Sequence, residues 1–414
     1  MELADWLQRI EQQHPVKWDL GLARVGEVGR RLNVLQPAPL VFLVAGTNGK
    51  GSTCEYITRL CESLGKTVGK STSPHLQRFN ERIQVQGVTA DDAQICAAFA
   101  AIDEARGDIS LTYFEYGTLA SLLIFKWCKV DVAVLEIGLG GRLDAMNIVV
   151  PTVTVITRIA LDHQAWLGDT RELIGAEKAG IMRAGVPCVV VDPAPPRAIT
   201  VQADVLGSPV SAIGREFGWS ADSVWLQQAG ARVVFTDLPP LLLPADSLAA
   251  ASQAVACAGL MITSAAMAWA AAQGRVAGRF QLLNAPHRSV LDVAHNPDAA
   301  VYLRDKLQLL LGDHGRCRAV VGMYADKDYA AVLALLAPLV SHFYCTDLAE
   351  SRAAPAALLA AVVNNLNGSG ASTYARVRLA YEAAVQQSSA ADLILVFGSF
   401  PVVAGVLDYI DAGE

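Results

Sequence analysis

Lys50 and Ser52 stand inside the run Gly46-Thr47-Asn48-Gly49-Lys50-Gly51-Ser52-Thr53. A lysine and a hydroxyl among glycines suit the holding of an anion, above all the phosphates of a nucleotide. Glycines let the backbone turn tightly, so successive N–H groups aim at one spot, and the N-terminus of a following helix adds partial positive charge there. In such a cradle Lys50 meets the outer phosphates and Ser52 holds Mg²⁺. Gly51 separates Lys50 from Ser52, so the P-loop pattern is not met literally. An ordinary glycine turn between strand and helix would account for the glycines, but not for the lysine and serine.

Glu136 is the second position with chemical potential, at the end of the apolar run 130–137. A carboxylate closing a buried strand is costly unless it binds something. Strand ends near a phosphate loop are where α/β proteins form ligand sites. Metal binding at Glu136 is therefore favoured over a salt bridge, and Gly138, Gly140 and Gly141 allow a ligand to come close.

These residues need strands and helices to carry them. Val41 to Val44 read as a buried strand ahead of the glycine turn, and residues 54–64 as the helix after it. Residues 67–70, 130–137 and 153–159 read as further strands, and 90–105 and 171–183 as helices. Alternating apolar residues within 212–243 predict a small β region. Residues 248–272 carry no charge and are long enough to span a bilayer. Alanine dominates this stretch, however, and Gly259 and Thr263 supply a stop and a new N-cap, so two packed core helices are expected instead. From Arg288 the pattern restarts, with strands expected at 290–293, 319–323, 343–346 and 393–397. The fold class is thus α/β: a P-loop-type N-terminal ATPase domain (1–276), a linker (277–287) and a smaller Rossmann-like domain (288–414).

Composition sets outer bounds. With 414 residues, 53% hydrophobic and 18% charged, the chain is globular and long enough for two or three domains. A net charge of −7 gives no reason to expect nucleic acid or an anionic membrane as partner. Eight cysteines without a CxxC pair read as free thiols of a reducing cytoplasm.

Four longer motifs occur in order: GTNGKGS (46–52), TSPHL (72–76), EIGLGGRLDA (136–145) and DVAHNP (292–297). With Trp18-Asp19-Leu20-Gly21-Leu22 before them and Gly398-Ser399-Phe400 after, this set resembles the folylpolyglutamate synthase family, relatives of the muramyl ligases. It most resembles the bacterial members that are also dihydrofolate synthases. The resemblance implies an ATP-dependent ligase that activates a pteroate or folate carboxylate as an acyl phosphate and joins it to L-glutamate. Dihydropteroate and tetrahydrofolates would be the acids, two Mg²⁺ ions the metals, and a monomer the active form.

The resemblance also assigns residues. Thr47, Asn48, Gly49, Lys50, Gly51 and Ser52 would bind ATP, with Ser247, Arg279, Asp292 and His295. Ser52, Ser73, Glu136, His163 and Lys178 would hold metal, Lys178 as a carbamate; unmodified, it reads as a surface or salt-bridging lysine. Asp19, Arg24, Thr112, Tyr113, Phe114, Glu115, Leu143, Asp144 and Ala145 would form the pterin pocket. Lys50, Lys178, His163 and Glu136 would carry catalysis. Three positions depart from the pattern: Met146 replaces Thr, Ser247 replaces Asn and Ala277 replaces Pro. A muramyl ligase shares the phosphate loop, and a kinase or ATPase would use it alone. The pterin segment 112–115 argues against the first, and Glu136, His163 and Lys178 together against the second. A non-catalytic binding protein is disfavoured by Lys50 and Glu136.

Overall fold

A computed structural model describes residues 1–13, 19–312, 316–366 and 370–412. The chain forms two compact units, Met1–Gly274 and Arg275–Glu414. In the first, eight strands form one sheet: β1 (Leu40–Ala45), β2 (Val68–Ser71), β3 (Ile83–Val85), β4 (Val88–Thr89), β5 (Val132–Glu136), β6 (Val153–Ile156), β7 (Cys188–Val190) and β8 (Val210–Ala212). Their order is β4-β3-β2-β5-β1-β6-β7-β8, parallel from β2 to β8. The antiparallel β3 and β4 form one edge.

Leu43, Ala45, Ala133, Leu135 and Ile156 face a core shared with Leu119, Leu122 and Phe125 of the helix Tyr113–Trp127. Strand alternation sends Phe42 and Val44 to the opposite face, where the helices Lys50–Ser63 and Ala245–Cys257 pack against the sheet and each other. Burial on both faces explains why β1 and β5 read as continuous apolar runs.

The first helix after β1 begins at Lys50, four residues before the expected start. Gly49, at φ +89°, is its N-cap, so Lys50 and Ser52 belong to the first helical turn. The helix Arg171–Ala179 is shorter than expected, and Lys178 lies in its last turn. The uncharged stretch does break into two helices. Gly259 takes φ +81°, and the Thr263 hydroxyl caps Ser264–Gln273 by accepting from Ala266 N. Strands β9 (Gly218–Trp219), β10 (Val224–Gln228) and β11 (Ala231–Phe235) form the small antiparallel sheet expected there. Among the described residues no helix is long and apolar enough to cross a membrane.

The second unit carries β12 (Gln281–Leu283), β13 (Ser289–Asp292), β14 (Cys317–Val321), β15 (Val340–Thr346), β16 (Gly370–Tyr374) and β17 (Ile394–Phe397). Their order is β12-β13-β17-β14-β15-β16, parallel apart from β12. β12 lies within the stretch expected as a linker, because residues 281–283 pair with β13 and become a sheet edge. All eight cysteines are free thiols, although Cys128 is exposed.

A buried ion pair ties the Lys50–Ser63 helix to β2. Glu55, fully shielded from solvent, accepts from Arg59 Nε at 2.7 Å and pairs with Lys70 of β2. Glu55→Ala would strand the Lys70 ammonium in the interior. Breaking one side of a buried pair costs about 3–5 kcal/mol, so this variant should unfold at clearly lower urea concentration than wild type, read by tryptophan fluorescence. An unchanged midpoint would show that Lys70 finds another partner.

Candidate active site

Parallel neighbours β2, β5, β1 and β6 end on the same side of the sheet, and their following turns bring the expected residues together. The turn after β1 is stitched to the residues after β6. Thr47 N donates to Arg158 O at 2.8 Å, and Thr47 Oγ1 donates to Ala160 O at 3.1 Å. Asn48 forms an isolated bridge with Arg158. Gly46 is required here: at φ +151°, a Cβ would lie 1.7 Å from Thr157 Oγ1. Ser247, in the first turn of its helix, sits beside the loop, with Oγ 3.4 Å from where a Cβ on Gly49 would stand.

Two lysines converge on the Gly46 carbonyl, which accepts from Lys50 Nζ at 3.2 Å and from Lys178 Nζ at 2.9 Å. Lys178 is buried, which corrects its reading as a surface residue: the Arg171–Ala179 helix turns it inward beneath the glycine loop. Burial, reinforced by the nearby Lys50 charge, pulls its ammonium down to about 7, against the opposing pull of Asp162, Asp144 and Glu177.

Glu136 is buried at the end of β5, and its Oε2 accepts from Ser73 N at 3.0 Å. The same oxygen lies 4.0 Å from where a Cβ on Gly51 would project, so the carboxylate reaches the start of the phosphate-loop helix. Ser52 is buried in that first turn. His163 projects from an exposed turn at φ +52°, and its Nε2 stands 4.0 Å from Asp162 Oδ2.

The glycine run after β5 is shaped by what lies against it. A Cβ on Gly138 would stand 2.5 Å from Phe114 Cζ, and one on Gly141 would stand 2.6 Å from Glu177 O. Asp144 is buried within this turn and accepts from Leu139 N at 2.8 Å and Met146 N at 2.9 Å. Burial raises its carboxyl to about 6 despite those donors. Leu143 is half-buried and Ala145 buried beside it.

Thr112 and Glu115 form a capping box at the start of Tyr113–Trp127. Thr112 Oγ1 accepts from Glu115 N at 3.2 Å, while Glu115 Oε2 accepts from Thr112 N at 2.7 Å. The other Glu115 oxygen accepts from Arg24 Nη2 at 3.2 Å, and Arg24 Nη1 pairs with Asp19 at 2.5 Å. Asp19, Arg24, Thr112 and Glu115 are therefore one connected network, which sequence spacing could not reveal. Trp18 lies outside the described residues.

Ser73, Glu136, Phe114 and Met146 line one cleft, together with Thr118 and Arg82. No sequence motif gives Arg82 a role. Its guanidinium lies over the rings of Phe79 and Tyr113, at 5.5 and 5.6 Å from their centroids. Its Nε donates to His75 Nδ1 at 2.8 Å. Burial, then the Arg82 charge, pulls His75 down to about 4, so the ring is neutral and can accept. The only sequence signal was a run of charges around Phe79, which has no helical or strand period.

In the second unit, Asp292 ends β13 in a buried position. Its carboxylate accepts from Phe280 N and Ala294 N, both at 2.8 Å, and burial raises its proton affinity against the nearby Arg279 charge. Arg279 lies over the Phe400 ring, 5.3 Å from its centroid. His295 Nδ1 is 2.8 Å from Val293 O.

A parallel sheet with a glycine loop on its central strand, followed by a second parallel unit, places the chain among Mur-type ligases. Residues 44–191 match the Mur ligase middle domain, and residues 278–400 the Mur ligase glutamate ligase domain. The chain belongs to the dihydrofolate synthase/folylpolyglutamate synthase family of ATP-dependent ligases. It is 44% identical to the Escherichia coli dihydrofolate synthase/folylpolyglutamate synthase, over 99% of this chain and 96% of that one. It resembles the solved structure of E. coli FolC in complex with DHPP and ADP, with TM-score 0.94 and 43% identity over 100% and 98% of the two chains. The bifunctional Yersinia pestis enzyme complexed with AMPPNP and Mn ion superposes with TM-score 0.92 and 41% identity, over 99% and 98%. These relatives favour the folate reading over the muramyl alternative.

The Lys178 environment has a measurable consequence. Its folded pKa of about 7 lies below the unfolded value of 10.5. Between those limits the unfolded chain binds the extra proton, so this group makes stability rise with pH across that window and adds no slope below it. In metal-free buffer purged of CO₂, Lys178→Met should flatten the rise in thermal midpoint from pH 7 to pH 9. Parallel wild-type and variant curves would contradict the assignment.

Proposed function

We propose that this chain joins L-glutamate to dihydropteroate, giving dihydrofolate, and to reduced folates, giving folylpolyglutamates. The observation that carries this reading is the convergence of Lys50, Lys178 and Glu136 at adjoining strand ends, beside a cleft walled by Phe114. A phosphate site and an aromatic-walled acid site in one place suit transfer between the two.

An oxygen of the substrate carboxylate attacks the γ-phosphorus of ATP, the bond to ADP breaks, and an acyl phosphate forms. The glutamate amine then attacks the acyl carbon, phosphate leaves, and the nitrogen loses its proton. Such transfer depends on positioning and on charge neutralisation more than on covalent chemistry. Loop N–H groups and Lys50 hold the phosphates, and Ser247 supports the loop from behind Gly49. Phe114 offers a flat face to the pterin, and Asp144 holds the turn at Leu143 and Ala145 in shape.

The oxygens of Ser52, Ser73 and Glu136 suit Mg²⁺, a hard cation that takes few protein oxygens and keeps water and phosphate oxygens. Ser52, Ser73 and Glu136 would hold one ion, and His163 and Lys178 a second. When bound, the ions neutralise developing charge on the phosphoryl oxygens. Lys178 serves as a ligand only as a carbamate, formed when its neutral amine adds to CO₂ and releases a proton. Its lowered pKa supports this by supplying free amine near neutral pH. The enzyme acts as a cytoplasmic monomer in this reading.

Purified protein with ATP, Mg²⁺ and glutamate should convert dihydropteroate to dihydrofolate and, more weakly, extend tetrahydrofolates. Extension without dihydrofolate formation would remove the first activity. Lys50→Ala should lower turnover by about 10²–10³-fold while leaving the circular dichroism spectrum unchanged. Labelled with ¹³C-bicarbonate, the wild type should show a carbamate resonance that Lys178→Met lacks; a bare amine in the active enzyme would end that assignment.

A further inference from the structure

Arg82 has a position that neither the phosphate loop nor the capping network explains. It is held from three directions: the Phe79 ring, the Tyr113 ring and the His75 imidazole. The loop that carries it is closed on itself by Glu81. That carboxylate accepts from Leu76 N at 2.7 Å, Gln77 N at 2.8 Å and Arg78 N at 2.6 Å. Arg82 O in turn accepts from Thr72 N at 3.1 Å, joining the end of the loop to the segment that leads into Ser73.

These contacts engage only part of the guanidinium. Nε is committed to His75, and no hydrogen bond among the described residues uses Nη1 or Nη2. Arg82 nevertheless lines the same cleft as Glu136, Ser73 and Phe114. A guanidinium serving packing alone would ordinarily turn its fork to a protein carboxylate. Here the two rings and the His75 imidazole fix its plane, and the fork is left for a visitor. Two parallel N–H donors match the two oxygens of a carboxylate. The cleft therefore presents a guanidinium fork as well as the Glu136 carboxylate to whatever enters it.

We propose that Arg82 binds the carboxylate of the acid substrate through its Nη fork and so orients the group to be phosphorylated. This rests on the pteroate-and-folate reading above. It adds a substrate-binding residue that also sets specificity for an ionised acid over its neutral analogues. His75 is a positioning residue, acting through Arg82 Nε.

The test compares dihydropteroate with its carboxamide, in which –CONH₂ replaces –COO⁻, titrated onto the full-length protein without ATP. Wild type should prefer the acid. Arg82→Gln should weaken acid binding on the order of 10- to 100-fold, the range of a lost charged hydrogen bond, and leave the amide nearly unchanged, collapsing the preference. Arg82→Lys keeps the charge without the fork and should fall between; it also serves as the test if the glutamine variant misfolds. Equal weakening of acid and amide would make Arg82 a packing residue and overturn the proposal, as would an undiminished preference in both variants. A wild type that binds neither pteroyl ligand would overturn the folate reading itself, an outcome distinct from failure at Arg82 alone.

Discussion

The turn after β1 passes so close to the residue after β6 that no side chain fits between them. Gly46 meets that constraint, and its carbonyl is thereby fixed where Lys50 and Lys178 both reach it. Two ammonium groups on one carbonyl oxygen would repel each other in water only weakly, but burial magnifies the effect. The strain falls on Lys178, whose proton is held loosely, while Lys50 remains at the mouth of the helix. Burial accounts for most of that loosening, and the neighbouring Lys50 charge adds to it.

Much of this was legible in the sequence where one local rule sufficed. Continuous apolar runs gave β1 and β5, and Gly259 with Thr263 correctly broke an uncharged stretch that hydropathy alone would have sent into a membrane. Errors came where local signals competed. Gly51 reads as part of the turn alongside Gly46 and Gly49, yet the turn is confined to Gly46–Gly49 and the helix tolerates Gly51 near the Glu136 carboxylate. β12 was missed because three residues have too little period to detect, and its pairing with β13 is a tertiary fact.

The site divides in the same way. The resemblance named Thr112, Glu115, Arg24 and Asp19 one by one, but not that they are joined by hydrogen bonds and ion pairs across 91 and 5 positions of chain. Arg82 escaped notice for the opposite reason: its significance lies in what surrounds it in space, and nothing nearby in sequence marks it. The burial of Lys178 is likewise not legible in sequence, because burial of a helix's last turn depends on the glycine run packed against it.

The cap at the head of Tyr113–Trp127 bears on how such an enzyme could diverge. Two of the four residues at that corner, Thr112 and Glu115, are bound to start the helix, and Glu115 is further tied to Arg24. Drift at either would loosen the helix that backs the sheet before it altered substrate choice. Phe114 instead rests on Gly138, outside the cap. Evolution, or a protein engineer, can therefore change Phe114 without disturbing the helix start, whereas Thr112, Glu115 and Arg24 must change together or stay as they are.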